Sequence, residues 1–173
     1  MRAGHAIPGA VVGALFVGHG AQKLFGVFGG PGLEGTGQFF EQGLGLKPGK
    51  VHAALAGGAE LGGGALLATG IAPPAAATAL QGTMATAIWT VHKEKGLWNA
   101  EGGYEYPLVL MSVVFGVTMR RSGLAWALAS LAAGIGGTAA LLTFGRQAGE
   151  EQQRPEAASQ DGQPDAEVAN ATA

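Results

Sequence analysis

The chain has 173 residues, of which 47% are hydrophobic and only 13% charged, and its net charge is −2. A soluble domain carries about 25% charged residues, so the composition argues against an ordinary water-facing surface and for contact with lipid. There is no cysteine, which excludes disulfides, thiolate metal sites, cysteine-held iron–sulfur clusters and covalent c-type haem. The charge is uneven, −4 from Arg146 onward and +2 before it, and no basic patch suggests nucleic acid. The 32 glycines suit a membrane bundle, where small residues let helix backbones approach.

Ile7–Phe28 is the first long apolar segment; at 1.5 Å per residue it reaches roughly 33 Å, enough to cross a bilayer. His19, Gln22 and Lys23 interrupt it, which disfavours a signal peptide. Gly29–Lys50 is a polar, glycine-rich connection. Within it a short helix near 36–44, with Phe39, Phe40 and Leu44 on one edge, suits the membrane interface. Val51–Ile71 is a second span, Pro73 and Pro74 mark a tight turn, and Ala75–Val91 is a third span with Trp89 as an interfacial anchor. A polar loop, His92–Glu105, leads to Pro107–Met119, which is short for a span and is stopped by Arg120 and Arg121. Leu124–Phe144 is a fifth uncharged run. The expected fold is therefore all-α: an integral membrane antiparallel four-helix bundle over residues 1–119 and an additional C-terminal transmembrane helix over 120–146. Residues 147–173 form an acidic tail without aromatics, expected to be disordered. With alternating spans, Lys47, Lys50, Lys93, Lys95 and Arg146 fall on one side and Arg2, Arg120 and Arg121 on the other, so the positive-inside rule leans only weakly to the first group as cytoplasmic.

Ionisable residues inside spans are costly and mark candidate sites. His19, Gln22 and Lys23 share a face of the first helix. Glu60 lies in the second span at about the same depth as His19, roughly 13 Å below one membrane face, within reach of Lys23. Gln81 and His92 share a face of the third helix, and Tyr104, Glu105 and Tyr106 open the fourth. Polar chemistry thus gathers at one end of the bundle. Each residue also has a structural reading: Lys23–Glu60 as an ion pair fixing helix register, His19 as a packing residue, His52 and His92 as interfacial histidines, Tyr104 and Tyr106 as aromatic-belt residues. The small pairs Gly9/Gly13 and Gly58/Gly62 are expected at helix contacts.

These residues fall in motifs that resemble the DoxX family. His-Gly-Ala-Gln-Lys-Leu-Phe-Gly at 19–26 resembles its first-helix signature, and Ala-Gly-Gly-Ala-Glu-Leu-Gly-Gly at 56–63 its second. Val91-His92, Gly96-Leu97-Trp98 and the Gly102–Leu108 run resemble its third-to-fourth connection, and Thr36 with Phe39-Phe40 its interfacial helix. The resemblance spans roughly residues 7–119. It implies a multi-pass protein of a bacterial or archaeal cell membrane, tied to quinone-linked oxidation or oxidative-stress complexes, without an agreed catalytic set. The residues transferred are His19, Gln22, Lys23, Glu60, His92, Trp98, Tyr104, Glu105 and Tyr106. The fifth run and the tail depart from the four-helix pattern.

The leading expectation is a membrane subunit of a redox system, binding a quinone-like or other small ligand, or relaying protons, at the polar end. Whether the chain itself catalyses an oxidoreduction is left open. The alternative is a non-catalytic membrane anchor or assembly protein that recruits a soluble enzyme. Haem is disfavoured, because His19 and His92 differ in depth by roughly 13 Å, and no metal site is indicated. Expected partners are the lipid bilayer, a soluble or membrane redox protein, and a second copy of the chain. No internal repeat points to a transporter.

Overall fold

The structure is a computed structural model that describes residues 6–160, with side-chain surroundings through residue 150. It is all-helical, without a strand among the described residues. α1 is Ala6–Phe25, and α2 is Gly32–Gln38, which runs on as a π turn over Phe39–Gly43. α3 is Gly49–Thr69. α4 is Pro73–Ala87, running on as a π turn over Ile88–His92. α5 is Glu105–Ser122 and α6 is Leu124–Gln160.

The helix boundaries follow local chemistry. α1 stops where Gly26 and Gly29 turn left-handed, at φ 70° and 73°, and the chain then bends by 97° into the segment that holds α2. The Glu41 carboxylate accepts from the Gly49 amide at 2.9 Å, supplying the cap that α3 lacks from its neighbour Pro48. Pro73 and Pro74 open α4, where a missing N–H costs nothing. α5 is longer than its apolar run suggests, because Glu105 and Tyr106 extend it at one end and Arg120 to Ser122 at the other. α6 runs past the expected transmembrane boundary at 146 into the expected tail. It continues without a break to Gln160, since the Ala, Gln, Glu and Arg of that stretch are good helix formers and extending an existing helix is easier than nucleating one. The remainder of the expected disordered tail, 161–173, lies outside the described residues.

α1 packs along α3, α3 on α4, α4 on α5 and α5 back on α1, so these four close a ring. Phe16, Leu67, Leu80, Leu110 and Val114 fill its centre. α6 lies outside the ring, against α4 and α5. The α1–α3 contact is made by backbone. A Cβ on Gly13 would sit 2.5 Å from the Gly64 carbonyl oxygen, and one on Gly20 would sit 2.5 Å from the Leu61 nitrogen and 2.6 Å from the Gly57 oxygen. The α3 glycines at the seam are thus Gly57 and Gly64. Gly58 and Gly62, expected there, have open space around them, because they project from the opposite face of α3.

Of the five expected spans, only α6, over Leu124–Glu150, is long and apolar enough by itself to cross a membrane. α1 reaches that standard only when counted together with the bent segment that follows it. α3 falls short because Lys50, His52, Glu60 and its glycines interrupt the apolar run, and α4 because Pro73–Ala87 is only 15 residues long.

The seam gives opposite expectations for two glycines of similar helical setting. Gly20→Ala should destabilise by about 1–3 kcal/mol, because its methyl meets fixed backbone. Gly62→Ala should be neutral or stabilise by up to about 1 kcal/mol through helix propensity. Thermal unfolding of the detergent-solubilised chain reads both, and equal shifts would show that the seam is not close-packed.

Candidate functional site

Lys23 sits in the last turn of α1, and the bend after it returns the chain over that end. The Thr36 hydroxyl lies 2.7 Å from the Gly32 carbonyl and 3.2 Å from that of Lys23, tying α2 to the end of α1. Glu60 lies mid-helix on α3, with only 4% of its surface exposed. The Lys23 ammonium donates to the Glu60 carboxylate at 2.5 Å. This is the pair that helix depth suggests. It is made because the glycine seam holds α1 and α3 at backbone contact one turn away.

The pair lines a cavity of about 390 Å³. His52, Leu55, Ala56, Ala59 and Glu60 of α3 form one wall, and Thr78, Gly82, Thr83, Thr86 and Thr90 of α4 form the back. Gly134, Gly137, Thr138 and Leu141 of α6 form the second side, and Phe39, Phe40 and Leu44 close the end. α4 packs against both α3 and α6 and so holds the cavity between them. Both π turns border it, one through Phe39 and Phe40, the other through Thr90 and Val91. Such turns are frequent at functional sites. At the lips, Leu55 and Phe39 are about half exposed.

The wall is apolar by construction. The hydroxyls of Thr78, Thr86 and Thr90 donate to carbonyls of their own helix, at 3.0, 3.0 and 2.7 Å, leaving methyls and oxygen lone pairs to the cavity. Thr138 joins α6 to α4, its hydroxyl 2.8 Å from the Gly82 carbonyl. Strong donor capacity is concentrated at Lys23: the ammonium has three donors, and Glu60 is its one hydrogen-bond partner among the described residues.

The other sequence-predicted residues lie elsewhere. His19 is exposed on the outer face of α1. The Gln22 side-chain amide donates to the Phe28 carbonyl at 3.4 Å, within the bend after α1. Gln81 is buried and faces α5, donating to the Met111 carbonyl at 3.2 Å, while its own side-chain oxygen is buried without a partner. His92 Nδ1 lies 2.6 Å from the Gly102 carbonyl, and the Glu105 carboxylate accepts from the Asn99 amide at 3.0 Å. Tyr104 closes the same loop through its backbone amide on Gly96, and Trp98 and Tyr106 are exposed. The polar end of the bundle therefore divides into a cavity holding Lys23 and Glu60, a self-bonded 92–105 loop, and an outward-facing His19.

His52 belongs to the cavity as well. Expected at the interface, it is only 8% exposed. It lines the cavity, and its Nδ1 is buried without a partner. Its ring packs where a Cβ on Gly145 of α6 would lie, 2.9 Å away. The signal was present: positions 52, 56 and 60 share one helical face. α6 also carries a readable stripe, because Ala127, Ser130, Gly134, Thr138, Leu142, Gly145 and Gly149 are its buried positions and recur at helical spacing.

Residues 10–93, just under half of the chain, match the family model described as DoxX, which supports assignment to that family and a membrane protein of the DoxX type. The matched stretch contains Lys23, His52 and Glu60 and ends at Lys93, so α5 and the α6 side of the cavity lie beyond it. No curated protein and no solved structure matches the chain.

A half-buried ion pair makes single and double substitutions behave differently. Lys23→Met should destabilise by about 3–5 kcal/mol, because the Glu60 carboxylate loses its partner while buried. Lys23→Met with Glu60→Met should recover most of that loss. If thermal unfolding shows the double variant as unstable as the single one, the pair is not a self-contained unit.

Proposed function

We propose that this DoxX-family chain is a multi-pass membrane subunit of a redox system, with α1, α3, α4, α5 and α6 crossing the bilayer, and that it takes a quinone-like ligand in the cavity between α3 and α6. The observation that carries the reading is the Lys23–Glu60 pair on the wall of an otherwise apolar cavity of about 390 Å³. Ligand sites are of this kind: roughly 300–1,000 Å³, mostly apolar, with a few placed polar groups.

The chemistry follows from which donors are spare. A ligand carbonyl can accept a hydrogen bond from Lys23 without separating the ammonium from Glu60, so the pair binds as a neutral unit in a low-dielectric wall, where a lone charge would be costly. A quinone carbonyl is such an acceptor, and its ring fits against threonine methyls and the Phe39 and Phe40 side chains. His52 stands roughly 12 Å along α3 from Glu60, and reduction of a quinone needs proton donors as well as electrons. Because the chain has no cysteine, its electrons come from a bound cofactor or a partner.

Titration of the full-length protein with a fluorescent or absorbing quinone analogue tests the reading. Wild type should bind saturably, and Glu60→Gln should weaken binding by about tenfold through loss of the charged pair. Gly137→Leu should abolish binding by filling space on the α6 wall, where a Cβ meets nothing within 4 Å. His19→Ala should leave binding unchanged. A complete absence of saturable binding overturns the reading in favour of a membrane anchor.

A further inference from the structure

A second, polar cavity adjoins the first. Leu44, Thr90 and Val91 line both, so the two share walls at the end where α4 finishes. The second cavity, about 370 Å³, is otherwise bordered by Gly43, Trp89, Lys93, Glu94, Lys95 and Arg146. Three cations thus stand against one carboxylate. Lys93 is held by the Trp89 ring, with its nitrogen 4.4 Å from the ring centre, and Arg146 reaches the same cavity from α6, the helix that also walls the apolar one.

We propose that the two cavities form one site for an amphiphile: an apolar chain lies between α3 and α6, and an anionic head sits among Lys93, Lys95 and Arg146. The proposal rests on the reading that the apolar cavity takes a lipophilic ligand and adds the charge of its head. Basic pockets between helices at a membrane surface are suited to anionic lipid heads. Here the pocket shares Leu44, Thr90 and Val91 with the slot for the chain, so a molecule that occupies both has its head and chain selected together. A free anion would gain only the first half of the contact, and an uncharged isoprenoid only the second. Lys93 lies in the turn that follows α4, and Arg146 lies on α6, so a bound head also ties the end of α4 to α6.

Three probes separate these contributions in the full-length, detergent-solubilised protein: farnesyl phosphate, farnesol and inorganic phosphate. Farnesyl phosphate should bind about tenfold or more tighter than farnesol at low ionic strength, with the preference shrinking as salt screens it. In K93Q/K95Q/R146Q the preference should fall to about twofold or less, while farnesol affinity stays at the wild-type value and certifies an intact apolar cavity. Equal binding of the two farnesyl probes overturns the proposal, as does a preference that survives in the triple variant. Inorganic phosphate competing as well as farnesyl phosphate also overturns it, by assigning the pocket to a free anion. If both farnesyl probes fail while a quinone analogue binds, the amphiphile proposal falls and the quinone reading stands. If all of them fail, both fall.

Discussion

The α1–α3 seam is closed by backbone rather than by side chains: Gly13 and Gly20 lie against Gly64, Gly57 and Leu61 with no room for a methyl. At that separation a lysine one turn beyond the seam does not need to stretch to meet a carboxylate on the facing helix. The Lys23–Glu60 pair is therefore a consequence of helix approach as much as of charge. Wider packing, as larger side chains would impose, would leave Glu60 buried and Lys23 near water, and an unpaired buried carboxylate is among the costlier defects a fold can carry. The glycines that look permissive in composition are, at this seam, what makes a charge inside the bundle tolerable.

α6 turns a ring of four helices into something with an interior site. α1, α3, α4 and α5 bury their core among themselves, and the outer face of α4 would be a threonine-lined surface without α6. The close approach at Gly82 and Gly134 and the Thr138 hydroxyl on the Gly82 carbonyl bring α6 onto that surface. Gly145 then leaves space for the His52 ring. The α6 side of the cavity lies outside the residues that match the DoxX family, so the family-matched part supplies the ion pair and this chain's additional helix supplies one wall.

Much of the helical order was legible because apolar runs, the Pro73-Pro74 turn and the polar loops punctuate it. The Lys23–Glu60 contact was legible because antiparallel helices let depth be counted from their ends. What was not legible has physical causes. Helical spacing says which residues share a face but not which neighbour that face meets. The third span therefore points to the face of Gln81 and His92; the structure turns Gln81 toward α5 and gives Thr78, Thr86 and Thr90 to the cavity. The seam glycines of α3 were misassigned by one position at Gly58, since a step of one residue moves a side chain by about 100° around a helix of 3.6 residues per turn. Gathering at one end was read as convergence on one site, whereas His92 and Glu105 spend their polarity on their own loop.

The distribution of hydrogen-bonding capacity around the cavity also bears on what can occupy it. Threonine hydroxyls that donate to their own helix present acceptor lone pairs, and an isolated acceptor on the ligand finds no donor there. At one end the Lys23 ammonium retains spare donors with its charge already balanced by Glu60. At the other, toward Lys93, Lys95 and Arg146, the charge exceeds its local carboxylate. A neutral acceptor is matched to the first group and an anion to the second. A ligand that is apolar throughout would leave both ends unused. One that is polar throughout would lose its hydration to threonine methyls and phenylalanine rings. On the proposal that the two cavities take one amphiphile, the selection is by the position of polarity along a molecule more than by the amount of it.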